Sequence, residues 1–530
     1  MTTPSMPKEL TLRGIVLGAL LTVIFTAANV YLGLKVGLTF ATSIPAAVIS
    51  MAVLKVFADS TIQENNIVQT VASSAGTLSA IVFVLPGLVM IGWWQGFPYW
   101  QSVAVIAIGG VLGVMYSVPL RRALVTGSDL PYPEGVAAAE VLKVGAGVGG
   151  AEENARGLKA VIFGTLVSAL YPLLAKAKLV VDAWEKVFRI GSGASFVSLT
   201  FSFSLLGVGH LVGLAVGLAM LVGIVLSYLL ILPHLTAAGL PVGDGLDDFV
   251  HGVFRGQVRL VGAGAIGVAA IYTLMKVIGP IVRGISGALA ADRARKAAGN
   301  MAALDITERD LPIGVVGGSI LVLMIPVLLL LARLGAGGPI EQMLGMSLFA
   351  SAIYILVVGV IIASVTGYMA GLIGASNSPV SGVGILSVLG ISLLLLALFG
   401  RGLSPEDTKA LVAFALFVTA IIFGIATIAN DNLQDLKTGQ LVAATPWRQQ
   451  VALVLGVLFG AMVIPPILTM LNDTFGFQGA PGAGKEALGA PQAALISTIA
   501  KGVLGGDLDW NLIHQAQDRK STRLNSSHMP

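Results

Sequence analysis

The chain has no cysteine. Disulfides, thiolate metal sites and cysteine nucleophiles are therefore excluded. It has five histidines, and His234 and His251 lack a partner at the spacing of a metal-ligand pair. No metal site and no cofactor is expected. Charge is scarce too. Asp, Glu, Lys and Arg make up 11% of the residues, against about 25% in an average soluble domain. A water-facing surface cannot be built from half the usual supply. Much of the surface must face something else, and lipid is the simplest choice.

What is present agrees. Hydrophobic residues make up 56% of the chain, and the mean hydropathy is +0.90. A span needs about 20 apolar residues. Candidate spans are 14–34, 39–57, 67–93, 100–118, 157–175, 194–207, 209–232, 258–282, 312–334, 346–366, 378–400, 408–429 and 450–471. The expected fold is all-α, a polytopic transmembrane helical bundle with interrupted helices. The run 194–207 is too short to cross comfortably and breaks at Gly207 to Gly209. No small-residue cleavage site follows 14–34, so it reads as a retained helix and not a signal peptide. Many of the 66 glycines lie inside apolar runs, where small residues let helices approach closely.

Basic residues lie scattered between the runs, as the positive-inside rule produces. This pattern argues for a lipid environment and against a nucleic-acid partner. With Lys8 and Arg13 inside, Lys55, Arg121, Arg122 and the stretch Lys437 to Arg448 also fall inside. The aromatic connection 93–100 falls outside. The segment 176–189, with Lys178, Lys186 and Arg189, breaks the alternation.

The polar connections carry the functional signal. They lie at 61–70, 130–137, 374–382 and 429–446. Polar groups at bilayer depth are costly and usually line a cavity or a pathway. Glu64, Asn65, Asn66, Gln69 and Thr70 cluster at the mouth of a span. Asn377, Asp431, Asn432 and Asp435 are their counterparts in the other half. These nine residues are the expected substrate contacts, since Asn and Gln donate and accept together. Glu64, Asp431 and Glu134 are the expected proton carriers. Capping of helix starts is the plainer role for any one of these residues. Two stretches look repeated: Tyr31-Leu-Gly-Leu34 with Pro45, and Met369-Ala-Gly-Leu372 with Pro379. Repeated, Gly/Pro-interrupted segments point to a transporter's substrate site.

Gly479-Ala-Pro-Gly-Ala-Gly-Lys485 mimics a phosphate-binding loop, but Glu486 stands where Ser or Thr belongs, and a membrane run precedes it. With no ATPase machinery, transport would run on a gradient. An intramembrane enzyme would need convergent catalytic groups inside spans, and no such motif appears. A channel would need a repeated filter-like segment, which is also missing.

At its polar connections the chain resembles the oligopeptide transporter (OPT) family, which includes the yellow-stripe-like metal-chelate transporters. The matching stretches are Asn29 to Ile49, Glu64 to Ala75, Leu130 to Val136, Ser376 to Leu386 and Asn430 to Pro446. The resemblance implies proton-coupled import of small peptides, or of metals held by amino-acid-like chelators and siderophores, across a bacterial cytoplasmic membrane. It also implies repeated helical hairpins and more spans than the thirteen counted here, hence a missing C-terminal part. Residues 1–513 are expected to form the transporter domain. Residues 514–530 are polar and aperiodic, and are expected to be a non-native or disordered tail.

Overall fold

A computed structural model describes residues 8–37, 39–147, 183–200, 214–241, 245–262, 305–335, 340–376, 380–484 and 487–506, with isolated residues between these stretches. The chain divides into two compact units. One comprises Met1–Val148 with Ala269–Leu508; the other comprises Gly149–Val268 with Asp509–Pro530.

The larger unit opens with α1 (Leu12–Val36), α2 (Ser43–Leu54) and α3 (Ile62–Leu78). α3 runs on as a tighter turn over Ser79–Phe83 and is followed by α4 (Pro86–Met90). Then come α5 (Tyr99–Leu120), extended by wide turns over Arg121–Thr126, and α6 (Pro133–Gly145).

In the smaller unit, β1 (Ala183–Ile190) and β2 (Gly193–Thr200) form an antiparallel hairpin. α7 (Leu214–Ile224) and α8 (Leu246–Val253) follow. Phe196, Leu232, Val250 and Val258 form this unit's core.

The larger unit resumes with α9 (Ile313–Gly335), α10 (Leu344–Ile373), α11 (Val380–Phe399), α12 (Pro405–Leu441), α13 (Pro446–Phe475) and α14 (Pro491–Gly505). α12 is the axis of this unit. It spans 37 residues, and its most apolar window is 100% buried. Its start follows helix-capping rules: the Ser404 hydroxyl accepts from the Asp407 N–H, Pro405 fills the first turn, and Glu406 and Asp407 face the positive end of the helix dipole. α3, α5, α10, α11 and α14 pack around it.

The larger unit repeats one local geometry at two helix ends that point in opposite directions. α1 ends at Gly37 with φ 74°, and α10 ends at Gly374 with φ 91°. Both glycines adopt a backbone conformation that a side chain would strain. The Leu34 carbonyl then accepts from the Ala490 N–H at 2.8 Å, and the Gly371 carbonyl accepts from the Tyr132 N–H at 2.9 Å. Ala490 and Tyr132 both take positive φ (36° and 44°), and each precedes a proline that starts a short helix, α14 or α6.

Directions follow from the contacts. On α1 and α3, Gly14 meets Glu64, Gly18 meets Val71, and Gly33 meets Val82, so the two helices run parallel. On α10 and α12, Gly359 meets Ile425 and Gly367 meets Leu433, so these run parallel too. α3 and α12 run antiparallel, because Gln69 bonds Asp435 and Ser73 bonds Asp431. α1 and α10 therefore point in opposite directions. Oppositely directed, broken helices are a mark of the inverted-repeat carriers. The sequence motif that pairs Tyr31 to Leu34 with Met369 to Leu372 marks the ends of α1 and α10. The second matching pair, Tyr132-Pro133 with Ala490-Pro491, is invisible as sequence because only the proline is shared.

Some sequence expectations change. Nine helices among the described residues are long and apolar enough to cross a membrane, and several of the thirteen expected runs lie partly outside those residues. The run 39–57 contracts to α2, with 12 residues. Of the run 194–207, residues 194–200 lie in a strand, 193–200, and not in a helix. Gly191, at φ 58°, turns the chain there, and Ile190 pairs with Gly193. The same hairpin explains the basic segment that broke the charge alternation, since Lys186 and Arg189 lie on β1. The runs 157–175 and 258–282 fall largely outside the described residues.

Close approach sets the α5–α12 contact. A Cβ on Gly109 would sit 2.7 Å from the Ile421 carbonyl oxygen, which is backbone and cannot move aside. Gly109→Ala is expected to destabilise the protein by about 1–3 kcal/mol through overpacking. Gly317→Ala, where nothing lies within 4 Å, serves as the control. Thermal unfolding of the purified protein measures both.

Candidate functional site

The two breaks meet. The Ala41 N–H donates to the Ser376 hydroxyl at 3.1 Å, which joins the segment after α1 to the segment after α10. Beside this contact lies a cavity of about 100 Å³, open on one side to solvent. Thr39, Phe40 and Ala41 line it from one half, and Ser376, Ser378 and Ser381 from the other. Thr77 and Phe83 continue the wall on the α3 side; Thr427, Asn430 and Asp431 do so on α12. Asp431 is the acidic residue in this lining, and no Lys, Arg or His takes part among the described residues.

Asp431 is buried, and its Oδ2 accepts from the Ser73 hydroxyl at 2.7 Å. One turn further along α12, Asp435 is buried as well, and its Oδ1 accepts from Gln69 Nε2. Among the described residues no basic side chain bonds either carboxylate. Asn432 donates to the Ser117 hydroxyl of α5 at 3.1 Å. Thr70 accepts from Gln449 of α13 at 3.0 Å. Asn66 is fully buried, with neither amide atom partnered. Asn65 joins α2 to α3, accepting from the Ser50 hydroxyl at 2.6 Å.

The structure thus brings Gln69, Asp431 and Asp435 together, with Asn66, Thr70 and Asn432 on the same two helices, α3 and α12. Of the sequence-predicted residues, Asp431 faces the cavity itself. Asn377 lies outside the described residues. Glu64 goes elsewhere. Its carboxylate is buried and takes hydrogen bonds from Arg13 Nε and Nη2, at 2.7 and 2.8 Å, and from the Thr11 hydroxyl. It clamps the start of α1 to the start of α3 and does not line the cavity. This is an ion pair and not a cap; the Thr61 hydroxyl caps α3, accepting from the Glu64 N–H.

Glu134 stands in the first turn of α6, a 13-residue helix too short to span. Its Oε1 accepts from the Ser376 N–H at 2.9 Å, and its Oε2 has no partner. It therefore holds the second break from behind. Burial pushes its carboxyl up from the ordinary carboxylate range, and the Ser376 N–H only partly opposes this. A raised folded-state pKa means that stability is fully present below the ordinary carboxylate pKa, about 4.3. That stability is lost as pH rises through the folded value. Glu134→Gln, which mimics the protonated form, is expected to flatten this decline. Unfolding temperatures across a pH series measure it.

Sequence reasoning missed the partners of the basic residues. Arg121 is 1% exposed and donates from Nη1 to both Asp310 oxygens at 3.1 and 3.0 Å. Arg122 Nε and Gln450 Nε2 also donate to Asp310, at 3.1 and 2.8 Å. The positive-inside reading placed both arginines in a loop and had no means of finding a partner 189 residues away. Ser73 and Gln449 were missed as well; Ser73 sits one turn from Gln69 on α3, and that spacing was an available signal, whereas Gln449 lies on another helix and reaches Thr70 and Asp435 only through the fold. The phosphate-loop mimic, residues 479–484, is a series of turns with Gly479 and Gly482 at positive φ.

Oppositely directed helices, broken where they meet around a cavity walled by a buried carboxylate, are the arrangement expected of a polytopic membrane transporter. The chain belongs to the OPT oligopeptide transporter family, whose model matches residues 9–516. Membership makes it a transporter and not an enzyme. A Haemophilus influenzae protein named "Putative oligopeptide transporter" is 43% identical over 497 residues, covering 91% of this chain and 77% of the relative. The Arabidopsis thaliana "Probable metal-nicotianamine transporter YSL8" is 23% identical over 576 residues, 94% of this chain and 72% of its own. The rice "Probable metal-nicotianamine transporter YSL13" is 30% identical over 112 residues, 21% of this chain and 15% of its own.

Proposed function

We propose that the chain is a proton-coupled secondary transporter. It imports small peptides, or metals held by amino-acid-like chelators and siderophores, across the bacterial inner membrane. One observation carries this reading: the tips of two inverted hairpins touch at a cavity that ends on the buried Asp431. Two touching tips form a gate that parts when the halves rock, which is how inverted repeats alternate access. Asp431 carries the coupling proton and meets the cationic end of the substrate. Glu134 ties the same proton balance to the second break through Ser376. Gln69 and Asp435 complete the polar wall behind the cavity, and Asn377 joins the substrate contacts. Glu64 is assigned to the α1–α3 clamp.

The relatives' names support both substrate classes, peptide and metal chelate. A peptide would present its N-terminal ammonium group to Asp431. Uptake into vesicles tests the proposal, with labelled di- and tripeptides and labelled metal chelates as two substrate sets. An inward pH gradient is expected to drive accumulation of one set. Accumulation of neither set, or accumulation indifferent to the gradient, overturns the coupling.

A further inference from the structure

Asp435 is the carboxylate that proton coupling through Asp431 leaves without a task. Its surroundings are unusual in one respect: the unmet hydrogen-bonding capacity is dominated by acceptor oxygens. Asp435 Oδ2 and Gln69 Oε1 are buried with no partner, and Asn66 on the same face of α3 leaves both its Oδ1 and its Nδ2 unpartnered. Buried polar atoms are normally satisfied, and each exception calls for a ligand or a water. Gln69 spends its N–H on Asp435 Oδ1, so its free Oε1 stays beside that same carboxylate. Asn66, Gln69 and Ser73 recur at the three- and four-residue spacing of one helix face. That face of α3 meets Asp431 and Asp435, which share a face of α12 at a spacing of four. Ser73 donates to Asp431 and also lies beside Asp435. The result is an oxygen cage between two helices, with no basic side chain bonded to it among the described residues.

We propose that Asp431, Asp435, Gln69 and Ser73 form a sodium-ion site behind the substrate cavity, sharing Asp431 with it. The donors are carboxylate, amide and hydroxyl oxygens, which select a hard cation and exclude the softer transition metals. No group of three or more His, Cys, Asp or Glu suited to a metal ion occurs among the described residues. Calcium would need both carboxylates bidentate to reach even six of its six to eight oxygens, and here Asp431 Oδ2 and Asp435 Oδ1 are already held by Ser73 and Gln69. Magnesium keeps several waters, for which a wall of fully buried side chains leaves little space. A monovalent ion of intermediate size fits what remains. The site stands independently of which substrate the cavity accepts.

Binding of radiolabelled sodium to the purified full-length chain, at one fixed near-neutral pH, tests the proposal. Saturable binding is expected, displaced by unlabelled sodium and not by choline. Asp435→Asn and Gln69→Leu are each expected to weaken it by at least about tenfold, equal to about 1.4 kcal/mol. Retention of unfolding temperature in choline chloride confirms that each variant folds. If Asp435→Asn fails to fold, Gln69→Leu, which leaves both carboxylates in place, carries the test. No saturable binding in the wild type overturns the site, as does displacement by calcium below the sodium concentration. Equal affinity in both variants overturns it as well. The transport reading fails separately. Gradient-driven uptake with every sodium replaced by choline, and no sodium binding, sinks this site alone. Saturable sodium binding with no uptake under any gradient sinks the transport reading alone.

Discussion

Asp431→Asn is expected to abolish gradient-driven uptake while leaving the protein folded. The asparagine amide has the shape of the carboxyl and keeps an oxygen to accept from the Ser73 hydroxyl, as Asp431 does at 2.7 Å. Helix packing around it is unchanged, since α12 is buried at this level by Phe423, Ile425 and Leu433, none of which is altered. What disappears is the ability to gain and lose a proton at the cavity wall, and to neutralise a substrate ammonium there. Intramembrane carboxylates of this kind are retained for function and not for stability. Uptake is expected to fall by on the order of a hundredfold or more, with an unfolding temperature close to that of the parent. Initial-rate uptake in vesicles, with the purified variant checked by thermal unfolding, measures both. Uptake within a few-fold of the parent would remove Asp431 from the mechanism.

Asp310→Ala is expected to give the largest loss of stability. Asp310 is the shared acceptor for Arg121, Arg122 and Gln450. Removing it leaves Arg121, itself 1% exposed, as an uncompensated buried cation. Breaking a buried pair from one side costs about 3–5 kcal/mol. The loss extends beyond the charge. The segment after Asp305 is pinned by Arg121 to the Thr307 carbonyl and by Gln450 to the Leu311 N–H, both at 2.8 Å. Releasing Asp310 therefore loosens the ends of α5, α9 and α13 together. Replacing both partners, Arg121→Met with Asp310→Leu, is expected to recover most of the loss, because an apolar pair carries no desolvation penalty. Unfolding temperatures of the two variants separate these outcomes. A single Asp310→Ala variant as stable as the parent would show that the arginines find other partners.

Much of the fold was readable from periodicity and composition. Long apolar runs such as those of α10, α12 and α13 have no other stable home than a bundle in lipid. The breaks were readable too, because Gly37, Gly374 and the prolines around them interrupt apolar patterns in ways that only turns tolerate. The second half of the repeat was not readable. Tyr132 and Ala490 do the same work with unrelated side chains, since the work is done by backbone: a positive φ, a donated N–H and a following proline. The hairpin at 183–200 was misread because apolar content alone was weighed over Ala194 to Leu205, although Ser and Thr alternate there with Phe and Leu at the period of two that marks a strand. At the site, polar residue types narrowed the search to the right helices. They did not tell Glu64 from Asp431. Both carboxylates are buried, and what separates them is a partner. Arg13 reaches Glu64 across 51 residues, whereas no basic side chain among the described residues bonds Asp431.

The central claim is that the two hairpin tips must part for substrate to cross. The natural absence of cysteine allows a direct test with the paired variant Ala41→Cys and Ser376→Cys. These positions already touch, with the Ala41 N–H 3.1 Å from the Ser376 hydroxyl. Uptake is measured in vesicles before oxidation, after it, and after a reductant is added. The expected result is uptake lost on oxidation and restored by reduction, with each single cysteine variant insensitive to both. Undiminished uptake by fully cross-linked protein would contradict the claim.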